Sequence, residues 1–213
     1  MQIPFLKHTT RIWWDRACRT RDFNPVAVRL LTLKPRYLEI ERATGVPWFV
    51  IAVIHNRESG ARFDRNLANG EPLDRVTTLV PKGRGPFKTF EDSAVDALLN
   101  CAPFLGKHTD WSLTGTLTAI EQYNGLGYAR LGVPSPYLWA GTDVYKAGKY
   151  VADGRYDPTH VDQQLGCAGL IMALHDIDPT VLFSDGWPVS VKKKTLTARM
   201  QSWVNWIDNL QKK

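Results

Sequence analysis

A chain of 213 residues with 44% hydrophobic and 23% charged content is long enough to bury a core and reads as one globular domain. Lys and Arg outnumber Asp and Glu by 27 to 21, and the resulting net charge of +6 points to a polyanionic partner. The basic residues are scattered without a zinc-finger or RNA-recognition signature, which argues against nucleic acid, and the longest apolar run, Pro47 to Ile54, is far shorter than the ~20 residues of a membrane span.

The amino-terminal stretch MQIPFLKHTTRIWWDR has no continuous apolar segment followed by a small-residue cleavage site. No secretory signal is expected, so the protein is expected to be made in the cytoplasm and to reach any external target by delivery or release. Cys18, Cys101 and Cys167 are odd in number and widely spaced, which predicts free thiols. From Phe23 to Ala43 the apolar positions predict two helices interrupted at Pro35. Pro47 suits a first helical position and Gly60 a left-handed cap, so a helix is predicted from Pro47 to Ser59. Beyond it, RFDRNL and DRVTTLVP read as short strands joined at Asn69-Gly70, a hairpin. Thr89 with Asp92 opens a helix to about Leu99, and Asp110 is expected to cap another that carries Leu113, Leu117 and Ile120 and stops at Gly125. The stretch YNGLGYARLGVPSPYLW reads as an aromatic, Gly- and Pro-rich loop. Helices are then predicted over Thr142 to Val151 and Pro158 to His175. Near the end, Leu196, Met200, Trp203, Ile207 and Leu210 form one apolar stripe, read as a final amphipathic helix docked on the domain.

One residue in this layout is badly placed for stability. Glu58 falls in the last turn of its helix, where the free carbonyls repel an anion by roughly 0.3 to 1 kcal/mol. Ile51, Ile54 and His55 share its face, and an apolar flank also favours the protonated acid, the form a general acid needs. The plainer reading is a solvated glutamate paired with Arg57 or Arg62. Downstream, Tyr123, Asn124, Tyr128, Tyr137 and Trp139 are the residues that would stack on sugar rings or bind their hydroxyls in a polysaccharide groove. Their plainer reading is packing, since Tyr and Trp are commonly mostly buried.

The stretches VIHNRESG, NGEPL and YNGLGYARLGVPSPYLW occur in that order and resemble those of lysozyme-superfamily muramidases, specifically the lysozyme-like proteins of phages and bacteria. The chain is more distantly similar to goose-type lysozymes and lytic transglycosylases, in which a helix-ending Glu followed by Ser is the acid and a Tyr-Asn pair lies in the cleft. The resemblance covers about Trp48 to Ile177. It implies a mostly helical α+β, lysozyme-like fold with a small β-hairpin as one lip of the groove. Residues 1–46 would be supporting helices, 47–180 the catalytic core and 181–213 the C-terminal helix. It implies Glu58 as acid, Tyr123 and Asn124 as positioning groups, peptidoglycan glycan strands as substrate, and no cofactor. A monomer is expected.

The pattern departs from common phage lysozymes in one respect: the position nine residues after Glu58 is Leu67 rather than an acid. Asp64, Glu71 or Asp74 are alternatives for a second carboxylate, and Thr77 and Thr78 are candidates to hold a water. Without a second acid, the oxocarbenium-like transition state would be resolved by a muramyl hydroxyl, giving an anhydro product. Among rival classes, a zinc site on His55 and Glu58 lacks its second His, since Ser59 stands there, and no metal is expected. Neither Cys101 nor Cys167 lies in a recognisable nucleophile turn. A non-catalytic glycan-binding module is the stronger alternative, and the unfavourable placement of Glu58 speaks against it.

Overall fold

A computed structural model describes residues 3–188, with side chains from Leu6 onward; the apolar stripe from Leu196 to Leu210 lies outside the described residues. Mixed helical structure, about 49% helix, is joined to one small antiparallel sheet of two strands. No helix among the described residues is long and apolar enough to cross a membrane.

Helix α1 spans Ile3–Arg16, within the stretch 1–46 expected to hold supporting helices, although its own bounds are not read from the sequence. Helices α2 (Asn24–Thr32) and α3 (Lys34–Thr44) follow, each with a proline in its first turn. Pro35 therefore opens the second helix, where its missing N–H is harmless. Gly45, at φ +73°, closes α3 in the left-handed region.

Helix α4 (Trp48–Ser59) forms the centre of the protein. Every residue from Trp48 to His55 is buried, because α4 packs on α3, on α6 (Leu113–Asn124) and on α9 (Cys167–Ile177). A helix surrounded in this way must be apolar on all sides, which explains the unbroken run WFVIAVI. Its first amide is satisfied from outside, by Glu41 Oε2 on α3 at 2.9 Å from Trp48 N. At the other end Gly60 (φ +64°) turns the chain, and its N–H bonds to the Asn56 carbonyl at 2.9 Å.

Helix α5 (Phe90–Asn100) begins where Thr89 accepts a bond from Asp92 N at 3.1 Å. The cap of α6 is Ser112 rather than Asp110, with Ser112 Oγ accepting from Gly115 N at 3.2 Å. Asp110 lies two residues back and accepts from Ser112 N.

The predicted hairpin after α4 is not formed. Residues 61–89 run irregularly, with one isolated bridge between Arg65 and Pro72. The Glu71 carboxylate takes the amides of Thr78 and Leu79, at 3.0 and 2.9 Å, so these donors are lost to any strand ladder. The sheet occurs further on instead, where β1 (Lys149–Ala152) and β2 (Arg155–Asp157) pair Tyr150 with Tyr156 around an Asp153-Gly154 turn. This replaces the helix predicted over Thr142 to Val151, since Gly148 sits at φ +105° and bonds across to the His160 carbonyl. The helix predicted from Pro158 contracts to α9, because Asp157 Oδ1 binds the amides of Thr159 and His160 and turns the chain. Within the expected loop, two short helices form, α7 (Gly127–Leu131) and α8 (Pro136–Trp139).

Helices α8 and α9 meet at Gly166, where an added Cβ would lie 2.4 Å from the Leu138 carbonyl oxygen and 2.7 Å from Ala140 N. Both neighbours are backbone and cannot rotate away. Gly166→Ala is therefore expected to destabilise the protein by about 1–3 kcal/mol in urea unfolding, through forced separation of α8 from α9. An unchanged unfolding midpoint would contradict this close approach.

Candidate active site

The last turn of α4 brings two opposite charges side by side. Arg57 is buried and pairs with Asp162 at 3.0 Å, while its guanidinium lies 5.1 Å from the Tyr137 ring centroid. Asp162 also receives Lys149 Nζ at 3.2 Å and the Gln164 amide at 2.9 Å. Burial opposes the charge on Asp162, but Arg57 and these donors outweigh it and hold the carboxyl below its usual range.

Glu58 has no such cation. Its Oε1 accepts from the Tyr137 hydroxyl at 2.7 Å, and Oε2 has no hydrogen-bond partner among the described residues. The residue as a whole is half-buried, because one edge faces a cleft. Desolvation of the carboxyl pushes its pKa up to about 7, against the opposing pull of the Tyr137 hydrogen bond and the Arg57 charge. A phenol that donates to Oε1 leaves the acid proton to Oε2. The result is a carboxyl with a raised pKa and one unpartnered oxygen, on a residue that lines the cleft.

The cleft measures about 530 Å³. Arg57, Glu58, Asp162 and Gln164 line its base, the end of α6 with α7 forms one wall, and the β1–β2 hairpin forms a lip. The lip is fixed to that wall by tyrosines. Tyr128 Oη accepts from Tyr150 N at 3.0 Å, and Tyr128, Tyr150 and Tyr156 meet edge to face with centroids 5.1 to 6.2 Å apart. Gly127 is required beneath them, since a Cβ there would come within 2.9 Å of the Tyr150 ring.

Of the residues singled out in the sequence, Glu58, Asn124, Tyr128 and Tyr137 line this cleft. Trp139 does not: it is fully buried and packs edge-on against Trp13, so it cannot stack on a sugar. Tyr123 is half-buried and donates to the Leu67 carbonyl at 3.1 Å, tying α6 to the loop after α4. Thr77 is buried and committed to the Pro81 carbonyl and the Arg84 amide. Thr78 bonds to Glu71, and Asp74 is exposed beside Arg75; none of the three lines the cleft. Asp64 is exposed and bound by Arg62. The loop that carries these residues touches the back of the α4 terminus, where Gly70 approaches the Glu58 carbonyl so closely that a Cβ would lie 2.8 Å from it.

His55, considered as a metal ligand, has both ring nitrogens occupied. Nε2 faces the Arg62 carbonyl at 3.0 Å and must donate, so Nδ1 accepts from Tyr37. Burial lowers its pKa to about 4, which keeps it neutral. Among the described residues no cluster of three or more His, Cys, Asp or Glu side chains is arranged to hold a metal ion.

Sequence reading named Arg57 only as an ion-pair partner for Glu58, whereas Arg57 pairs with Asp162, and it missed Lys149, Asp162 and Glu121. Glu121 on α6 is buried, its Oε2 accepts from Ser135 Oγ, and desolvation raises its pKa to about 7 despite that bond. A signal was present: Leu113, Leu117 and Glu121 recur every fourth residue, which places the acid on the apolar face. Asp153-Gly154, flanked by Tyr150 and Tyr156, was likewise a readable hairpin turn. Comparisons with family models, curated proteins and solved structures yield no match.

Two carboxyls with raised pKa values link folding to pH. Each binds its proton more tightly in the folded state, so the stability it contributes is complete below about 4.5 and is lost as pH rises through about 7. His55, with its pKa lowered to about 4, acts in the opposite sense, so the comparison between variants is cleaner than the absolute curve. Relative to wild type, Glu58→Gln is expected to gain stability progressively from pH 4.5 to 7 and then hold a constant advantage. Thermal unfolding across that range checks this, and a difference independent of pH would show that Glu58 titrates normally.

Proposed function

We propose that the protein is a peptidoglycan-degrading glycosidase with a lysozyme-like arrangement, cutting the β-1,4 bond between N-acetylmuramic acid and N-acetylglucosamine. One observation carries the reading: Glu58, at the end of the central helix, holds a proton to about pH 7, leaves Oε2 without a hydrogen-bond partner among the described residues, and lines a cleft together with tyrosines and polar groups. Those surroundings suit a glycan, whose rings pack on aromatic faces while its hydroxyls take hydrogen bonds. The net charge of +6 suits an anionic wall polymer. The site of action is then the bacterial cell wall, reached after delivery or release.

In this mechanism Glu58 Oε2–H protonates the glycosidic oxygen as the bond from that oxygen to C1 of the muramyl sugar breaks, leaving positive charge on the muramyl ring. The carboxylate that remains is stabilised by the Tyr137 hydroxyl and by Arg57. It then takes back a proton from the nucleophile that closes on C1. A water gives hydrolysis; the muramyl 6-hydroxyl gives an anhydro sugar and needs no second acid.

The acids at the cleft favour the anhydro route as a second reading. Asp162 is committed to Arg57 and Lys149, and Asp153 sits exposed on the hairpin lip. Asp162 is thus engaged by its cations and by the Gln164 amide, and no side-chain hydrogen bond orients Asp153 among the described residues, so neither stands ready to activate a water at the sugar.

Glu58→Gln is expected to leave the fold intact and lower cleavage of purified sacculi by 10² to 10⁴-fold, on the order of what a general acid supplies. Wild-type activity should fall as pH rises through about 7, as the acid loses its proton. Mass analysis of released muropeptides decides the route: anhydro products are one water lighter than hydrolysed ones. Near wild-type cleavage by folded Glu58→Gln would end the proposal.

A further inference from the structure

We infer that Glu121 is a positioning residue for Glu58, acting through Ser135 and the single helical turn that carries Tyr137. The inference rests on the reading of Glu58 as the acid, and it follows from a continuous set of contacts. Glu121 Oε2 accepts from Ser135 Oγ, and the same Ser135 oxygen accepts from Leu138 N at 3.2 Å, capping α8. Helix α8 is only four residues long, so its own hydrogen bonds are too few to fix its orientation. Its second residue is Tyr137, whose hydroxyl donates to Glu58 Oε1 at 2.7 Å.

Ser135 is well suited to this role because a hydroxyl donates once and accepts elsewhere. With its proton directed to Glu121, its lone pairs are turned to the Leu138 amide. If Glu121 is replaced by a residue without an acceptor, the hydroxyl is free to rotate and the cap loosens. The turn then has less to hold the phenol of Tyr137 against the acid.

A purely packing role does not explain the choice of residue. Position 121 continues the stripe of Leu113 and Leu117, where a leucine would fit the pattern, yet a carboxyl stands there with Oε1 unpartnered in the core. Tyr128 on α7 and Cys167 on α9 are the other titratable groups that sense its charge, and both are themselves neutral, since burial raises the pKa of each. No cation pairs with Glu121 among the described residues, and burial keeps it neutral to about pH 7. The neutral acid still offers Oε2 to Ser135.

The test reads the titration of Glu58 itself, by carboxyl-carbon NMR of the full chain labelled at glutamate. Besides Tyr137 and Arg57, the groups that sense Glu58 are Tyr123 and Cys167, and burial keeps both neutral. The Tyr137 hydrogen bond lowers the Glu58 midpoint, so Tyr137→Phe should raise it, on the order of one pH unit. Ser135→Ala and Glu121→Leu should shift it in the same direction and add nothing when combined with Tyr137→Phe. Glu121→Gln, which keeps an acceptor for Ser135, should restore the wild-type midpoint. In turnover on sacculi, Ser135→Ala should lower kcat severalfold with KM unchanged. A folded Ser135→Ala protein whose Glu58 titrates as in wild type would overturn the inference. So would a Glu121→Leu shift that persists in full alongside Tyr137→Phe. Should Glu121→Leu fail to fold, Ser135→Ala and Glu121→Gln still decide. The titration needs no enzymatic activity, so a protein that leaves peptidoglycan uncut would refute the proposed function without touching this result.

Discussion

Burial of α4 on every side is the constraint from which the rest of the architecture follows. A helix surrounded by α3, α6 and α9 has no solvent face along most of its length, so apart from the buried, fully hydrogen-bonded His55 its polar residues are confined to the C-terminal turn. There the chain must reverse, and Gly60 allows it to do so tightly. The polar residues of that turn consequently emerge among the ends of other elements: α6, α8 and the segment that precedes α9. A central helix that stops short of the surface leaves its last side chains at the bottom of a hollow.

Two neighbours on that turn meet opposite fates, and the difference is one of partners. Arg57 finds Asp162, so both remain charged in a buried place. Glu58 finds a phenol, which offers a hydrogen bond but no charge, and this is too little to offset desolvation. Arg57 lies close enough to moderate the shift without abolishing it. The result is an acid tuned near neutrality rather than a carboxyl driven permanently into its protonated form.

The legible parts of the fold were those governed by local rules. Pro47, Gly60, Thr89 and Gly125 mark helix ends by backbone chemistry that neighbours rarely override, and those boundaries lie within a residue or so of the observed ones. The hairpin was misplaced because Asn69-Gly70 is a turn signal in itself, while the flanking amides were claimed by the Glu71 side chain, a competition invisible in residue patterns. The position of Glu58 at a helix end was readable. Which aromatic residue would reach it was not, because Tyr137 and Trp139 lie two apart on the same short turn, and only packing decides that one meets the acid while the other enters the core. Glu121 was overlooked for the opposite reason. Its spacing marked it as buried, but an acid in an otherwise good helix reads as surface by default.

The aromatic residues are also divided by type, which has an optical consequence. Trp13, Trp14, Trp48, Trp111, Trp139 and Trp187 all belong to the core or pack against it, whereas the aromatic rings lining the cleft are Tyr128, Tyr137 and Tyr150. Among the described residues, indole emission therefore reports on the integrity of the interior and phenol absorption on the occupancy of the cleft. A ligand settling over the hairpin would, among the described residues, change the surroundings of tyrosines and not of tryptophans, so difference absorbance is the channel in which occupancy of this cleft would register.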